Sequence, residues 1–257
     1  MIFAGIDVGS TTVKVVLLEQ EHVIKKALGR AGFKGHEVAE ALLNRSLLET
    51  GYGKSNIGMC IATGYGRARV RVADKVVTEI TCHARGAWAL LQGCRFVIDI
   101  GGQDSKAIAL DQNGRVIDFA MNDKCAAGTG RFLEVMAKAL DFDLDSFSNI
   151  ALTGMKNPVP ISSICTVFAE SEVIGQVNSG APIEEISAGI CMSVASRVAG
   201  MAGRLPIEEP ILFTGGVSIN EGVRKALEKR LGMKINFHEL SQYAGALGAA
   251  LIGADQR

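Results

Sequence analysis

The 257 residues suffice for one large or two modest domains with real cores. Hydrophobic residues make up 48% and charged residues 21% of the chain, the balance of an ordinary globular protein, and the net charge of +0 argues against a general nucleic-acid or membrane-surface binder. No basic leader opens the chain, no apolar run reaches the roughly 20 residues of a membrane span, and the six cysteines contain no C-x-x-C pair, so a cytoplasmic setting without disulfides is expected.

The first predicted element is a hairpin. An apolar run ends at Asp7, a small-residue turn follows, and a second apolar run begins. The turn puts backbone N–H groups and the hydroxyls of Ser10, Thr11 and Thr12 where phosphate oxygens could bind. Asp7, at the strand end, has the chemistry to hold Mg2+ directly or through water. GMCIATG (58–64) reads as a strand. TEITCHARGAWALL (78–91) reads as a helix with Ile80, Ala84, Ala87 and Leu91 on one stripe. The opening then recurs: IDVGSTTVK (6–14) aligns without a gap with IDIGGQDSK (98–106), matching Asp7 to Asp99, Gly9 to Gly101 and Lys14 to Lys106. Such internal similarity predicts two related halves.

MNDKCAAGTGRF (121–132) comes next, followed by Phe132, Leu133, Met136, Ala139 and Leu140 at one-face helical spacing. Cys125 is expected just before or at that helix's N-terminus, where free amides and the helix dipole favour a thiolate. ISSICTVFAESEVIGQV (161–177) has the same grammar, with Cys165 near another helix start. A long helix over 184–204 carries Ile186, Ile190, Val194, Val198 and Met201 as its stripe, with Cys191 packing beside it. ILFTGGV (211–217) is a strand ending in Gly215 and Gly216, where backbone could approach a flat ligand such as a nucleoside; a helix over 220–231 follows. QYAGALGAALIG (242–253) is a small-residue helix that could cross the 78–91 helix closely, at a hinge. Two thiolates do not complete a common iron–sulfur site, which takes four. A two-fold dimer would supply four at its axis; otherwise both cysteines are buried or idle. Cys60, Cys82, Cys94 and Cys191 read as core residues. His83 beside Cys82 reads as part of the connecting helix rather than as a ligand.

The two Asp-Gly hairpins, the Gly-Gly turn and the two small-residue helices resemble the superfamily of actin, sugar kinases and the heat-shock chaperone ATPases. That resemblance implies an α/β, actin-like (ribonuclease H-like) ATPase fold: two related α/β domains, 1–92 plus 242–257 and 93–241, with a nucleotide cleft between them. More specifically, DVGSTTVK, ATGYGR, DIGGQDSK, NDKCAAGTGRFLE, ISSICTVFAESEVI, SVASRVAG, TGGV and QYAGALGAAL, in this order over nearly the whole chain, resemble the activators (component A) of 2-hydroxyacyl-CoA dehydratases. Their family includes ATPase subunits of benzoyl-CoA reductase.

The resemblance implies a homodimer whose subunits share one [4Fe-4S] cluster, held by Cys125 and Cys165 of each. It implies ATP/ADP and Mg2+ bound between the domains, and ATP hydrolysis that drives one low-potential electron into a dehydratase partner. The electron would come from a donor such as ferredoxin or flavodoxin. Asp7 and Asp99 would organise Mg2+, and Ser10, Thr11, Thr12, Val13 and Lys14 would contact the phosphates. Gln103 and Asp104 would lie at the γ-phosphate. Gln103 is the first candidate to position the attacking water, with Asp99 as the other catalytic residue. Gly215 and Gly216 would flank the nucleoside, and Gln242 would reach the same side. Two alternatives stay open: an ATPase subunit of a benzoyl-CoA reductase-type enzyme, and a small-molecule kinase of the same fold. The kinase could recruit Asp104 but leaves Cys125 and Cys165 unexplained.

Overall fold

In the computed structural model, which describes residues 1–163 and 165–256, each Asp-Gly hairpin is the centre of a five-stranded sheet. Ile164 of the second cysteine motif lies outside the described residues. The first sheet contains β1 (Ile2–Val8), β2 (Thr12–Glu19), β3 (His22–Arg30), β4 (Ile57–Thr63) and β5 (Lys75–Val76). The second contains β6 (Phe96–Ile100), β7 (Ser105–Leu110), β8 (Val116–Asn122), β9 (Ile211–Thr214) and β10 (Ile235–Asn236). The strand orders are β3-β2-β1-β4-β5 and, read the same way, β8-β7-β6-β9-β10. The repeat therefore extends strand for strand, beyond the aligned stretch.

The registers agree as well. Asp7 faces Lys14 on β2 and Thr63 on β4, while Asp99 faces Lys106 on β7 and Thr214 on β9. Each parallel partner strand then turns through a glycine with positive φ, Gly64 or Gly215. A Cβ at either would overlap the backbone of the neighbouring strand, so the chain passes the Asp only because no side chain is there.

The helices are α1 (Gly35–Thr50), α2 (Glu79–Leu90), α3 (Gly130–Ala139), α4 (Leu144–Gly154), α5 (Thr166–Asn178), α6 (Ile183–Ala202), α7 (Glu221–Leu231) and α8 (Ala244–Asp255). The expected stripe of α6 is buried at Ile186, Ile190, Val194 and Val198, and Cys191 packs with it. Along α3 the buried set is Phe132, Leu133, Met136 and Ala137, with Ala139 only half-buried. With Phe147 and Phe213 these residues form the larger core, where each fully buried large side chain contributes about 1.5–3 kcal/mol.

α2 and α8 do cross closely. A Cβ at Gly86 would overlap the Ala244 carbonyl, and one at Gly248 would overlap the Cys82 carbonyl. α8 covers β1 and β2 of the first sheet through Ala246, Leu247, Ala250 and Leu251. The stripe of α2, with Ala84 and Ala87, lies against Val97, Ile108 and Leu212 of the second. The domain division expected at residue 92 thus falls at the end of a helix whose apolar side packs on the second sheet.

Candidate functional site

The two Asp-ended strands converge on one acidic hollow, lined by Asp7, Gly9, Ser10, Thr11, Thr12, Lys14, Glu79, His83, Asp99, Asp104, Lys106, Gly215 and Gly216 among others. Four carboxylates against two lysines leave an excess of two negative charges when His83 is neutral. Lys14 Nζ lies 3.4 Å from Asp7 Oδ2, and among the described residues this is the ion pair of Asp7. Lys106 is embedded more deeply: it is 2% exposed, and its Nζ lies 3.1 Å from Asp99, 2.8 Å from Asp104 and 3.4 Å from Glu79. Asp99 has a full set of partners. Thr214 donates its hydroxyl to Oδ1 at 2.9 Å, His83 Nδ1 lies 3.2 Å from the same oxygen, and Lys106 holds Oδ2.

These contacts set the charge states. Burial pushes the Asp99 carboxyl up, but His83, Lys106 and the Thr214 hydroxyl together hold it well below the usual carboxylate range. Burial pushes Lys106 down, and its three carboxylates more than reverse that, so its ammonium is firmly charged. Glu79, at the start of α2, is raised by burial against the opposing pull of Lys106.

The hollow opens into a cavity of about 200 Å3 that shares Thr11, Thr12, Lys14, Gly101, Gly102 and Gly216 with it. Leu133, Leu144, Val217 and Ile219 give this cavity apolar walls; Glu134, Asp145, Ser148, Asn220 and Gln242 give it polar ones. An apolar-walled cavity leading to amides, hydroxyls and lysines suits a nucleoside polyphosphate. Among the described residues no three His, Cys, Asp or Glu side chains converge on a metal position. Asp7 and Asp99, two carboxylates at the strand ends, have the oxygen chemistry that Mg2+ takes when it is held jointly with phosphate oxygens and water.

Of the residues flagged in the sequence, Asp7, Ser10, Thr11, Thr12, Lys14, Asp99, Asp104, Gly215, Gly216 and Gln242 line the hollow or the cavity. The Val13 side chain does not; it is fully buried in the first core. Gln103 is exposed and lines an adjoining hollow with Gly9, Ser10 and Tyr65. Glu79, His83 and Thr214 were not assigned to the site from sequence, and Lys106 was noted only as the match of Lys14.

Solvent sorts the cysteines. Cys60, Cys82, Cys94 and Cys191 are buried, with thiols pushed up by burial to about 12, about 12, about 11 and about 12. Cys125 is half-buried and Cys165 exposed. Cys165 is the N-cap of α5, as its sequence context indicates. Cys125 lies just before α3, in the turn ahead of its N-cap Thr129. Asn122 Nδ2 ties that turn together by donating to the Cys125 and Ala127 carbonyls at 2.9 and 3.1 Å. The first two α3 amides, on Gly130 and Arg131, donate to the Gly101 and Gly102 carbonyls at 2.9 and 2.8 Å. They serve the Gly101–Gly102 turn, not the sulfur.

This two-sheet, two-hairpin architecture has counterparts among known proteins. The chain matches the BadF/BadG/BcrA/BcrD ATPase family over residues 4–253. It belongs to that family. It is an ATPase of the actin-like fold. The (R)-2-hydroxyglutaryl-CoA dehydratase activating ATPase of Acidaminococcus fermentans is 46% identical, over 96% of this chain and 95% of that one. The 2-hydroxyisocaproyl-CoA dehydratase activator of Clostridioides difficile is 42% identical, over 98% and 94%. The solved structure of the latter activator, with bound ADPNP, superimposes with a TM-score of 0.94 at 42% identity, covering 100% of this chain and 95% of that one. Among the described residues no helix is long and apolar enough to cross a membrane.

Proposed function

We propose that this ATPase activates a 2-hydroxyacyl-CoA dehydratase by ATP-driven delivery of one electron, as a homodimer whose subunits share a [4Fe-4S] cluster on Cys125 and Cys165. The observation that carries the reading is that, among the described residues, Cys125 and Cys165 alone of the cysteines keep solvent access, and Cys125 lies in the turn before α3, the helix that also forms a wall of the nucleotide cavity. Gly130, Leu133 and Glu134 of α3 face the nucleotide cavity. Ala127, Gly128 and Phe132, from the Cys125 turn and the same helix, line a hollow of about 520 Å3 shared with Ser162 and Ser163, just ahead of Cys165.

The donor set fits the cluster: two reachable thiols per chain need a second copy to make four. The surroundings fit a second copy too. Val167 and Phe168, the residues after Cys165 and Thr166, are each 67% exposed, and Ile117, Phe119 and Met121 stand exposed on edge strand β8, just before Cys125. An apolar surface of this kind marks an interface. When bound, the cluster would carry the single electron.

The protein's own groups do the rest. Thr11, Thr12 and Lys14 would bracket the phosphates from the first half and the Gly101–Gly102 turn from the second. Asp7 and Asp99 would hold Mg2+ through phosphate oxygens and water, and Asp104 would fix Lys106 beneath them. Any movement of the Gly101–Gly102 turn on hydrolysis pulls on the α3 amides bonded to it, and so on the Cys125 turn. The reading is tested by mixing the anaerobically purified protein with Mg2+, a strong reductant and a 2-hydroxyacyl-CoA dehydratase. Dehydration should begin only with hydrolysable ATP and fail with Cys125→Ser or Cys165→Ser. Activation by either variant would overturn it.

A further inference from the structure

We propose that His83 is a positioning residue for ATP hydrolysis, fixing the Asp99 carboxylate from the helix that joins the two halves. His83 is 5% exposed and lies in the middle of α2. Its Nδ1 is 3.2 Å from Asp99 Oδ1 and 3.3 Å from Thr214 Oγ1. The carboxylate only accepts, and Thr214 already donates its own hydrogen to Asp99. Both neighbours of Nδ1 are therefore acceptors, and Nδ1 carries the hydrogen. With Lys106 on Oδ2, each oxygen of Asp99 is held by a separate element, α2 and β9 on one and β7 on the other. The carboxylate has no freedom to turn.

The first half has no matching clamp. Thr63 is the register counterpart of Thr214, and its buried hydroxyl makes no hydrogen bond among the described residues. The ring fits because Gly245, near the start of α8, has no side chain: a Cβ there would stand 2.9 Å from Nε2.

This inference rests on the reading of Asp99 as part of the phosphate site, and the test separates the two. His83→Asn keeps an amide nitrogen at the Nδ1 position, whereas His83→Gln, equally polar, moves it outward to that of Nε2. ATP hydrolysis and nucleotide affinity are measured for both and for Asp99→Asn, with thermal melting as the control. The glutamine variant should lose about 10- to 100-fold in kcat, the loss of one hydrogen bond to a charged group, while KM for ATP stays within about threefold. The asparagine variant should return to within about threefold of the parent kcat. Equal kcat in the two variants, or a loss in His83→Gln accounted for by a smaller nucleotide-binding fraction and lower Tm, overturns the inference. Full activity in Asp99→Asn would instead overturn the phosphate-site reading beneath it.

Discussion

The two hairpins have the same backbone and different chemistry. In the first, Asp7 faces one lysine at 3.4 Å. In the second, Asp99 is held by a lysine, a threonine and a histidine, and its lysine by two further carboxylates. The turns differ as well. Ser10 carries a side chain where its counterpart Gly102 has none, and a Cβ at Gly102 would overlap the Thr11 hydroxyl. The repeat thus supplies two equivalent places for an aspartate, and the surroundings differ. Asp7 is left with Lys14 as its ion pair among the described residues, while Asp99 is held from α2, β7 and β9.

The largest break in this comparison is Lys106→Met. It strips Asp99, Asp104 and Glu79 of the buried lysine they share and should cost about 3–5 kcal/mol in denaturant unfolding, with Lys14→Met costing far less. Equal costs would mean the two hairpins are equivalent. The pH dependence has a definite sign. Asp99 is depressed in the folded state, so its contribution is present above the ordinary carboxylate range and is lost as pH falls below it. Lys106 is raised, so its contribution is complete below the ordinary lysine value and is lost only as pH rises through the higher folded one. Unfolding free energy should accordingly hold steady from about pH 5 to 9 and drop on the acid side, the drop shrinking in Asp99→Asn.

Asp7→Asn should lower Mg2+-dependent hydrolysis by about a hundredfold with little change in Tm, measured by phosphate release; undiminished hydrolysis would remove Asp7 from the metal site. Gly102→Ala forces the Thr11 contact apart and should cost about 1–3 kcal/mol, weaken ATP binding and change the alkylation rate of Cys125 through α3, whereas Ser10→Ala should do none of these.

The smallest effect belongs to Glu172. It accepts from the Ser162 and Ser163 amides at 2.9 and 2.8 Å, and these bonds, with both serine side chains, overcome desolvation to hold its carboxyl at about 2. Its contribution exists above about pH 4.5 and fades as pH falls toward 2. Because the group is largely solvated, Glu172→Gln should cost no more than about 1 kcal/mol yet speed Cys165 alkylation.

What was legible in the sequence was whatever repeats or is local. The hairpins, the ILFT strand and the two small-residue helices announce themselves through apolar runs broken by glycine, and they carry most of the residues that line the cleft. His83 and Lys106 were not legible as site residues. His83 meets Thr214 across 131 positions of chain, and nothing near residue 83 says which strand end α2 will touch. The destination of the α3 amides was not legible for a related reason: the small residues before α3 do free its first amides, but tertiary contact gives those amides to Gly101 and Gly102. Gln103 stands in the second turn and lines the hollow that adjoins the cleft, with Gly9 and Ser10.

The most direct test of the central claim is iron and acid-labile sulfide analysis of the anaerobically purified protein, run beside its solution mass. A dimer with about two iron and two sulfide per chain, lost in Cys125→Ala and in Cys165→Ala but kept in Cys191→Ala, is the predicted result. An iron-free protein, or iron retained in both of the first two variants, would contradict it.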